Sequence, residues 1–364
     1  MNKKYLFTLL PVVAISLTSC GNATNYKDHL DDYVHTMKYY NNFTVLQLTD
    51  IHWNVTTDGN NSKNYINKVI EATEAKVGKI NLIEITGDSF MLSNMRYVKS
   101  FVEYFDSLDI PYAIIWGNHD QQGRYNPTWL SNQFRNAKNA IYIEPDHDDL
   151  YGRSNFVINL MNGSETKWQI TNLDSGASYS ELVTEFPRGY DYIREDQTDW
   201  WVKEHEKVGH DVPNITYYHI PQQQNQMVYE LVEAGDTTIK NRFFKLEGFA
   251  EGKKESPFFD TAKNNGLKGC FMGHAHAVDW TFDYEGVTVG LGVKTGKELY
   301  YGKVDVNAEE TKDMCQQLGL TENFDLVGAS LVTLHDDKTF DLDHLYLNER
   351  ESGNDFVRWV SYNG

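Results

Sequence analysis

The chain has 364 residues, of which 40% are hydrophobic, so it is long enough for one large or two modest domains with a substantial core. Its formal net charge of −19 makes a long nucleic acid an unfavourable partner, because binding to a phosphate backbone is largely electrostatic. Three cysteines exclude a disulfide-dense scaffold, and without Cys20 only Cys270 and Cys315 remain for a single bridge.

The first twenty residues read as a targeting segment. Two lysines precede an apolar run that ends at Leu17 and is too short for an ordinary membrane-spanning helix. The sequence then reads Leu-Thr-Ser-Cys up to Cys20, which resembles the lipobox of bacterial lipoproteins; the alternative is a simple secretory peptide. The pattern predicts a signal peptide over residues 1–19, lipidation at Cys20, and a protein anchored on the outer face of the cytoplasmic membrane.

The segment after the predicted leader is polar. Residues 20–42 are rich in Asn, Asp, Lys and Tyr, and we expect them to form a tether between the lipidated cysteine and the folded domain. Residues 43–364 contain no repeat and no convincing linker, so they are expected to form one domain.

From Phe43 onwards, apolar runs alternate with helical stretches. In order, these are "FTVLQLTD", a helix over 64–77, "INLIEITGD", a helix over 95–108, and "YAIIWGNHD". This βαβαβ order predicts a largely parallel, buried sheet.

The second half of the chain predicts a mixed sheet. "NFVINL" and "KWQITNLDS" meet at Asn162-Gly163, a hairpin signal, and are followed by a helix over 195–208. Strand-like runs then appear in "NITYYHI", "KGCFM" and the paired "AVDWTFDYEGVTVGL". Near the end, "GASLVTLHDDKTFDLDHLYL" predicts two strands around an Asp-Asp-Lys turn, which we interpret as a hairpin that covers the domain.

Chemically suggestive side chains follow five of these strands, and open α/β sheets bind ligands at the carboxyl ends of their strands. Taken alone, the motifs after the first three strands are more typical of polar turns than of a site, and a lone histidine such as His219 is more often a core or edge residue. Together they supply carboxylate, amide and imidazole groups, a mixture suited to two first-row divalent metals. The residues are Asp50 and His52 after the first strand, Asp88 after the second, Asn118, His119 and Asp120 after the third, His219 after "NITYY", and His274 and His276 after "KGCFM".

The spacing within two of these motifs suggests how ligands pair. Residues two apart in an extended backbone point to the same side, so Asp50 and His52 are expected to share one cation. The same geometry places His274 and His276 on one side of an extended segment.

In this order, D-x-H, G-D, G-N-H-D, a lone His and G-H-x-H resemble the calcineurin-like metallophosphoesterase superfamily over roughly residues 43–302. The resemblance implies a four-layer α/β/β/α sandwich of two mixed sheets, with a site for two divalent or trivalent metals such as Mn, Fe or Zn. It implies one metal on Asp50, His52 and His276. It implies a second on Asn118, His219 and His274, with Asp88 bridging both.

The resemblance also implies roles for side chains that do not bind metal. His119 would contact the substrate phosphate or give a proton to the leaving oxygen, and Asp120 would orient His119. Arg124 is a candidate phosphate-binding residue because its guanidinium matches phosphate oxygens; the alternative is a solvated loop arginine.

A narrower resemblance involves "LDSG", "YDYIREDQTDWW" and "HIP", which are similar to the subgroup of yeast cell-cycle-regulator phosphatases and plant purple-acid-phosphatase-like proteins. True purple enzymes have a tyrosine where this chain has Met91, and a glycine where it has His52. A purple iron–tyrosinate centre is therefore not expected, and the metal identity stays open.

These patterns predict a metal-dependent phosphoesterase that hydrolyses phosphomonoesters or small phosphodiesters through a metal-activated water. Its expected partners are a small phosphate ester and, through the lipid, a membrane. Two alternatives stay open. One is a surface lipoprotein that binds a metal or phosphorylated ligand without turnover, and the other is a membrane-proximal phospholipase or nuclease of the same fold.

Overall fold

The computed structural model describes residues 30–53, 59–91, 94–122, 125–145, 149–179, 189–296, 302–348 and 356–363. The predicted leader, Cys20 and Arg124 lie outside these ranges. Within them, no helix is both long enough and apolar enough to cross a membrane.

Strands dominate the described part of the chain. In chain order they are β1 Val34–Lys38, β2 Phe43–Leu48, β3 Leu82–Thr86, β4 Tyr112–Ile115, β5 Ala140–Ile141, β6 Phe156–Asn162, β7 Glu165–Asn172, β8 Ser178–Tyr179, β9 Gly189–Tyr190, β10 Asn214–Tyr217, β11 Asn241–Lys245, β12 Leu267–Met272, β13 Val278–Tyr284, β14 Val287–Leu291, β15 Lys303–Val304, β16 Phe324–Asp325, β17 Gly328–Leu334, β18 Phe340–Asn348 and β19 Phe356–Ser361.

Helices connect many of these strands. They are α1 Gly59–Val77, α2 Met95–Ser107, α3 Pro127–Arg135, α4 Glu195–Val208, α5 Gln223–Glu233, α6 Phe258–Ala262 and α7 Lys312–Gln317, with short 3-10 helices at Leu30–Tyr33 and Lys263–Asn265.

The first large sheet has seven strands in the order β19-β18-β17-β2-β3-β4-β5. β2 to β5 are parallel, which confirms the predicted βαβαβ unit. Both faces of β2, β3 and β4 are buried, and this explains why their sequences are mostly apolar. On the outer face, Leu46 and Ile83 pack with Phe101 of α2, a fully buried side chain whose burial contributes about 1.5–3 kcal/mol.

The second large sheet has eight strands in the order β1-β6-β7-β10-β12-β14-β13-β11. It is mixed: β10 runs parallel to β7 and β12, whereas β6–β7 and β13–β14 are antiparallel hairpins. Trp200 and Trp201 of α4 and Phe258 of α6 pack on its outer face.

A third apolar cluster lies between the sheets, where Val45 and Ala113 of the first meet Ile170 and Phe271 of the second. With helices against both outer faces, the layers are α/β/β/α, as the family resemblance implies.

The prediction of a tether over residues 20–42 is wrong for residues 30–42, the part that the structure describes. Instead of an unpaired segment, β1 forms an edge strand parallel to β6, with Val34 opposite Val157. The flanking Tyr33 and Tyr39 are both buried, and this burial fixes a strand that is otherwise only half-buried.

The predicted C-terminal hairpin is present, but it does not cover the domain as expected. β17 and β18 pair with each other, and β17 also pairs with β2, placing Val332 opposite Val45. The hairpin therefore extends the first sheet, which explains why "GASLVTL" is apolar on both faces. Cys270 and Cys315 are both buried and free, so they form no bridge.

Candidate metal centre

The loops after β2, β3, β4, β10 and β12 meet at one end of the two sheets and bring all seven predicted ligands together. Every one of these side chains is buried. Backbone hydrogen bonds tie the loops to one another: Asp50 N donates to Gly87 O at 3.1 Å, and His52 N donates to Asp88 O at 3.0 Å. The site is thus assembled from both sheets and fixed by main-chain contacts.

Four of these residues form a first group: Asp50, His52, Asp88 and His276 each offer a ligand atom within 4.8 Å of the others. The two Nε2 atoms of His52 and His276 lie 3.2 Å apart. His276 Nε2 is 3.4 Å from Asp50 Oδ1, and His52 Nε2 is 4.0 Å from Asp88 Oδ2.

Asp88 also belongs to a second group with His219 and His274, whose ligand atoms likewise lie within 4.8 Å. His219 Nε2 is 3.4 Å from Asp88 Oδ1 and 3.3 Å from His274 Nδ1. Asn118 Oδ1 joins this group at 3.1 Å from His219 Nε2. The two groups therefore share one carboxylate.

The backbone at these residues is not extended. Asp50, His52, Asp88 and His274 have φ of 50°, 46°, 49° and 79°, in the left-handed region that non-glycine residues rarely adopt. Such conformations cost about 1–3 kcal/mol each and typically occur at functional sites. The expectation of an extended backbone is therefore wrong. Asp50 and His52 nevertheless lie in one ligand group, whereas His274 and His276 fall into different groups.

Two motif glycines lie where a neighbouring loop approaches too closely for any side chain. A Cβ at Gly117 would overlap Asp88 Oδ1, and a Cβ at Gly273 would overlap the Thr49 hydroxyl and the Asp50 carboxylate. Any side chain at either position would push a ligand-bearing loop away from its neighbour. The glycines of "GNHD" and "GHAH" are thus part of the site's geometry.

Burial and charge set the protonation of the site. Burial lowers the pKa of His52 and of His274 to about 3, so both imidazoles are neutral. Burial opposes ionisation of Asp88, but the nearby His219 outweighs it and lowers the pKa of Asp88 to about 2. Conversely, Asp88 raises the pKa of His219 to about 9 although burial opposes this. The carboxylates therefore favour positive charge at His219 Nε2, where a cation would compete with the proton.

The donor set fits a metal. His219 Nδ1 lies 2.8 Å from Thr86 O, so this nitrogen donates, and once the proton on Nε2 is lost its lone pair points towards Asn118 and Asp88. Asp50 Oδ1 is buried without a hydrogen-bond partner. Converging lone pairs of imidazole, amide and carboxylate repel one another unless a cation or proton lies between them, and this ligand mixture suits first-row divalent ions.

His119 and Asp120 have different surroundings from those expected. His119 N donates to Asp88 Oδ1 at 2.8 Å, and its half-buried ring lies 3.0 Å from Gln122 Oε1 through Nδ1. Asp120 instead accepts from the backbone of Gly117 at 2.8 Å and Phe90 at 3.0 Å.

The expectation that Asp120 orients the His119 ring is therefore wrong, because its carboxylate holds two loops together. Burial, with the charge of Asp88, raises the pKa of Asp120 to about 8. Sequence reasoning missed Gln122, and only its spacing of three residues from His119 could have indicated the contact.

A cavity of about 240 Å³ opens above the ligands. Glu247 and Tyr190, which the sequence analysis did not identify, also line this cavity. The Tyr190 ring centroid lies 4.3 Å from that of His274. The lining residues are Asp88, Met91, Asn118, His119, Tyr190, Glu247, Gly248, Ala250, His274, Ala275 and His276.

Known proteins share this chain's sequence pattern at low identity. It is 24% identical over 298 residues to a protein of Arabidopsis thaliana named probable inactive purple acid phosphatase 29, covering 71% of this chain and 73% of that one. It is 22% identical over 263 residues to the phosphatase DCR2 of Saccharomyces cerevisiae, covering 65% of this chain and 44% of the yeast protein.

Among solved structures, the purple acid phosphatase PPD1 from yellow lupin seeds aligns over 88% of this chain and 53% of that one, with a TM-score of 0.45 and 12% identity. The family model described as calcineurin-like phosphoesterase matches residues 43–278, a span that contains all seven clustered side chains. Because this match covers more than half of the sequence, the chain belongs to the calcineurin-like phosphoesterase family.

Proposed function

We propose that this protein is a metal-dependent phosphoesterase that uses two metal ions to hydrolyse phosphomonoesters or small phosphodiesters. The observation that carries the proposal is the position of Asp88, which belongs to two buried groups of ligand atoms beneath an open cavity. A carboxylate shared in this way suits a pair of cations. Membership of the phosphoesterase family supports the same reaction class.

In this proposal, one ion would be held by Asp50, His52, His276 and Asp88. The other would be held by Asn118, His219, His274 and the same Asp88. Ions in these positions would supply charge that lowers the pKa of a water and stabilises negative charge on phosphoryl oxygens.

The chain's own contribution to proton transfer comes from His119. Its ring lies at the cavity and outside both ligand groups. With Nδ1–H donating to Gln122 Oε1, the protonated ring keeps Nε2–H for the leaving oxygen of a substrate. The His119 backbone N–H meanwhile fixes Asp88 Oδ1, so one residue serves both the ligand set and the substrate.

Binding without turnover is the rival from another class, and the plant relative's name contains the word inactive. The position of His119 favours catalysis, since metal binding needs no proton donor in the cavity. A nuclease acting on long nucleic acid is disfavoured by the net charge of −19.

The test is hydrolysis by the full chain after chelation and reloading with Mn²⁺, Zn²⁺ or Fe²⁺ in turn. We expect nitrophenyl phosphate or bis-nitrophenyl phosphate to be cleaved only by reloaded protein, with two ions per chain by elemental analysis. A protein that takes up both ions and cleaves no ester in a broad panel would be a binding protein instead.

We also propose that the protein is anchored to the outer face of the cytoplasmic membrane through lipidated Cys20. The basic and apolar leader ending in Leu-Thr-Ser-Cys supports this. Mass spectrometry of the native amino terminus should find an acylated Cys20. An unmodified terminus at any other residue would contradict the anchor.

A further inference from the structure

Two side chains that line the cavity, Glu247 and Tyr190, have no part in the proposed reaction. Glu247 follows β11 and Tyr190 ends β9, and both line the cavity together with His119. Tyr190 is 39% exposed, although its ring packs nearly perpendicular to that of His274. A substrate whose phosphate lies at the ligands would therefore place its leaving group near a carboxylate and an aromatic ring.

Backbone hydrogen bonds hold Glu247 and Tyr190 in place. Ala277 N, directly after His276, donates to Glu247 Oε1 at 2.6 Å. The segment that carries Glu247 continues to Lys253, whose N donates to Tyr190 O at 2.9 Å. The carboxylate and the ring are thus positioned by one framework that also includes a ligand loop, as selective subsites require.

The charge of the cavity favours one kind of leaving group. None of the described lining residues is a lysine or arginine. Two nearby lysines lie outside the lining. Lys254 has its ammonium 4.9 Å from the Tyr179 ring centroid. The buried Lys294 is close enough to act electrostatically on His52. A carboxylate here repels a second phosphate or carboxylate on the substrate and attracts a cation, and an aromatic face attracts ammonium groups.

We propose that Glu247 and Tyr190 form a leaving-group subsite that selects phosphate esters of small amino alcohols. The inference rests on the proposed phosphoesterase function and names a substrate class for it. The cavity of about 240 Å³ is smaller than the ~300–1,000 Å³ of most small-molecule sites, which favours a leaving group of a few heavy atoms.

The test compares phosphocholine with 3,3-dimethylbutyl phosphate, which has the same shape but a carbon in place of the charged nitrogen. For the metal-loaded full chain, we expect kcat/KM to be about tenfold higher for phosphocholine. Glu247→Gln should abolish most of this preference, because the amide keeps an oxygen for Ala277 N–H but loses the charge. Tyr190→Leu should reduce it further.

Glu251→Gln is the matched control, since it makes the same charge change four residues away and outside the cavity lining. It should keep the preference. Equal kcat/KM for the two esters in the unsubstituted protein would overturn the proposal. So would an equal loss on both esters in Glu247→Gln, or a preference for the anionic ester 3-phosphoglycerate.

Calorimetry with the phosphonate analogues of the two esters separates this inference from the proposed function. If no ester, including nitrophenyl phosphate, is cleaved, the proposed function fails. Binding still decides the subsite in that case: about tenfold tighter binding of the cationic phosphonate, lost in Glu247→Gln, supports it. Equal binding of both phosphonates overturns it.

Discussion

Replacing Asp88 with alanine is expected to remove both metals and the hydrolytic activity together. Asp88 is the one carboxylate shared by the two groups of ligand atoms, so its loss weakens both at once. Because the ions supply several kcal/mol of charge stabilisation, kcat/KM should fall by about 10³-fold or more. Elemental analysis and ester hydrolysis, measured on the same preparation, check this result.

Asp174→Asn is the control for simply altering a buried carboxylate. Asp174 is buried and accepts from the backbone of Arg153 and Gly176, and it lies outside both ligand groups. This variant should keep both ions even if its melting temperature falls. An Asp88→Ala protein that retains two ions per chain would refute the bridging role.

Replacing His119 with alanine should lower kcat by ~10²–10⁴-fold for an alkyl phosphate while both metals stay bound. The structural reason is that His119 contacts Asp88 through its backbone N–H, which alanine preserves, whereas the ring alone faces the cavity. A nitrophenyl ester should lose less activity, because its leaving oxygen departs without a proton. Metal titration beside kcat for the two esters measures the difference.

Gln122→Ala provides a graded comparison, since it removes the partner of His119 Nδ1 and leaves the ring in place. We expect a smaller loss that again depends on the leaving group. Loss of metal in His119→Ala, or full activity on the alkyl ester, would show that the ring has no catalytic part.

Local sequence signals predicted the regular elements well. The helix predicted over 195–208 is observed at Glu195–Val208, because Trp200, Trp201 and Glu204 recur on one buried face. By contrast, β1 escaped prediction because its side chains are only half-buried and its stability comes from pairing with β6, more than a hundred residues away. The same non-local pairing hid the position of β17 beside β2.

The sequence also predicted which side chains cluster, but not how. The order of the motifs identified all seven candidate ligands, since each follows a strand whose carboxyl end lies at one edge. Their left-handed backbone could not be inferred, because positive φ is uncommon for non-glycine residues even though Asp and His adopt it more often than most. Glu247 and Tyr190 lie in loops without a motif, and only the folded chain brings them to the cavity.

The described fold begins at Leu30, and this position limits how far the domain could lie from a membrane. If Cys20 carries the proposed lipid, only residues 21–29 separate it from the 3-10 helix at Leu30–Tyr33, which leads into β1. At about 3.3–3.6 Å per residue, this span limits the gap between bilayer and domain to roughly 30 Å. A protein anchored in this way would meet a phosphate ester carried by the same leaflet at an effective concentration of about millimolar, whereas an ester on a distant macromolecule would be out of reach.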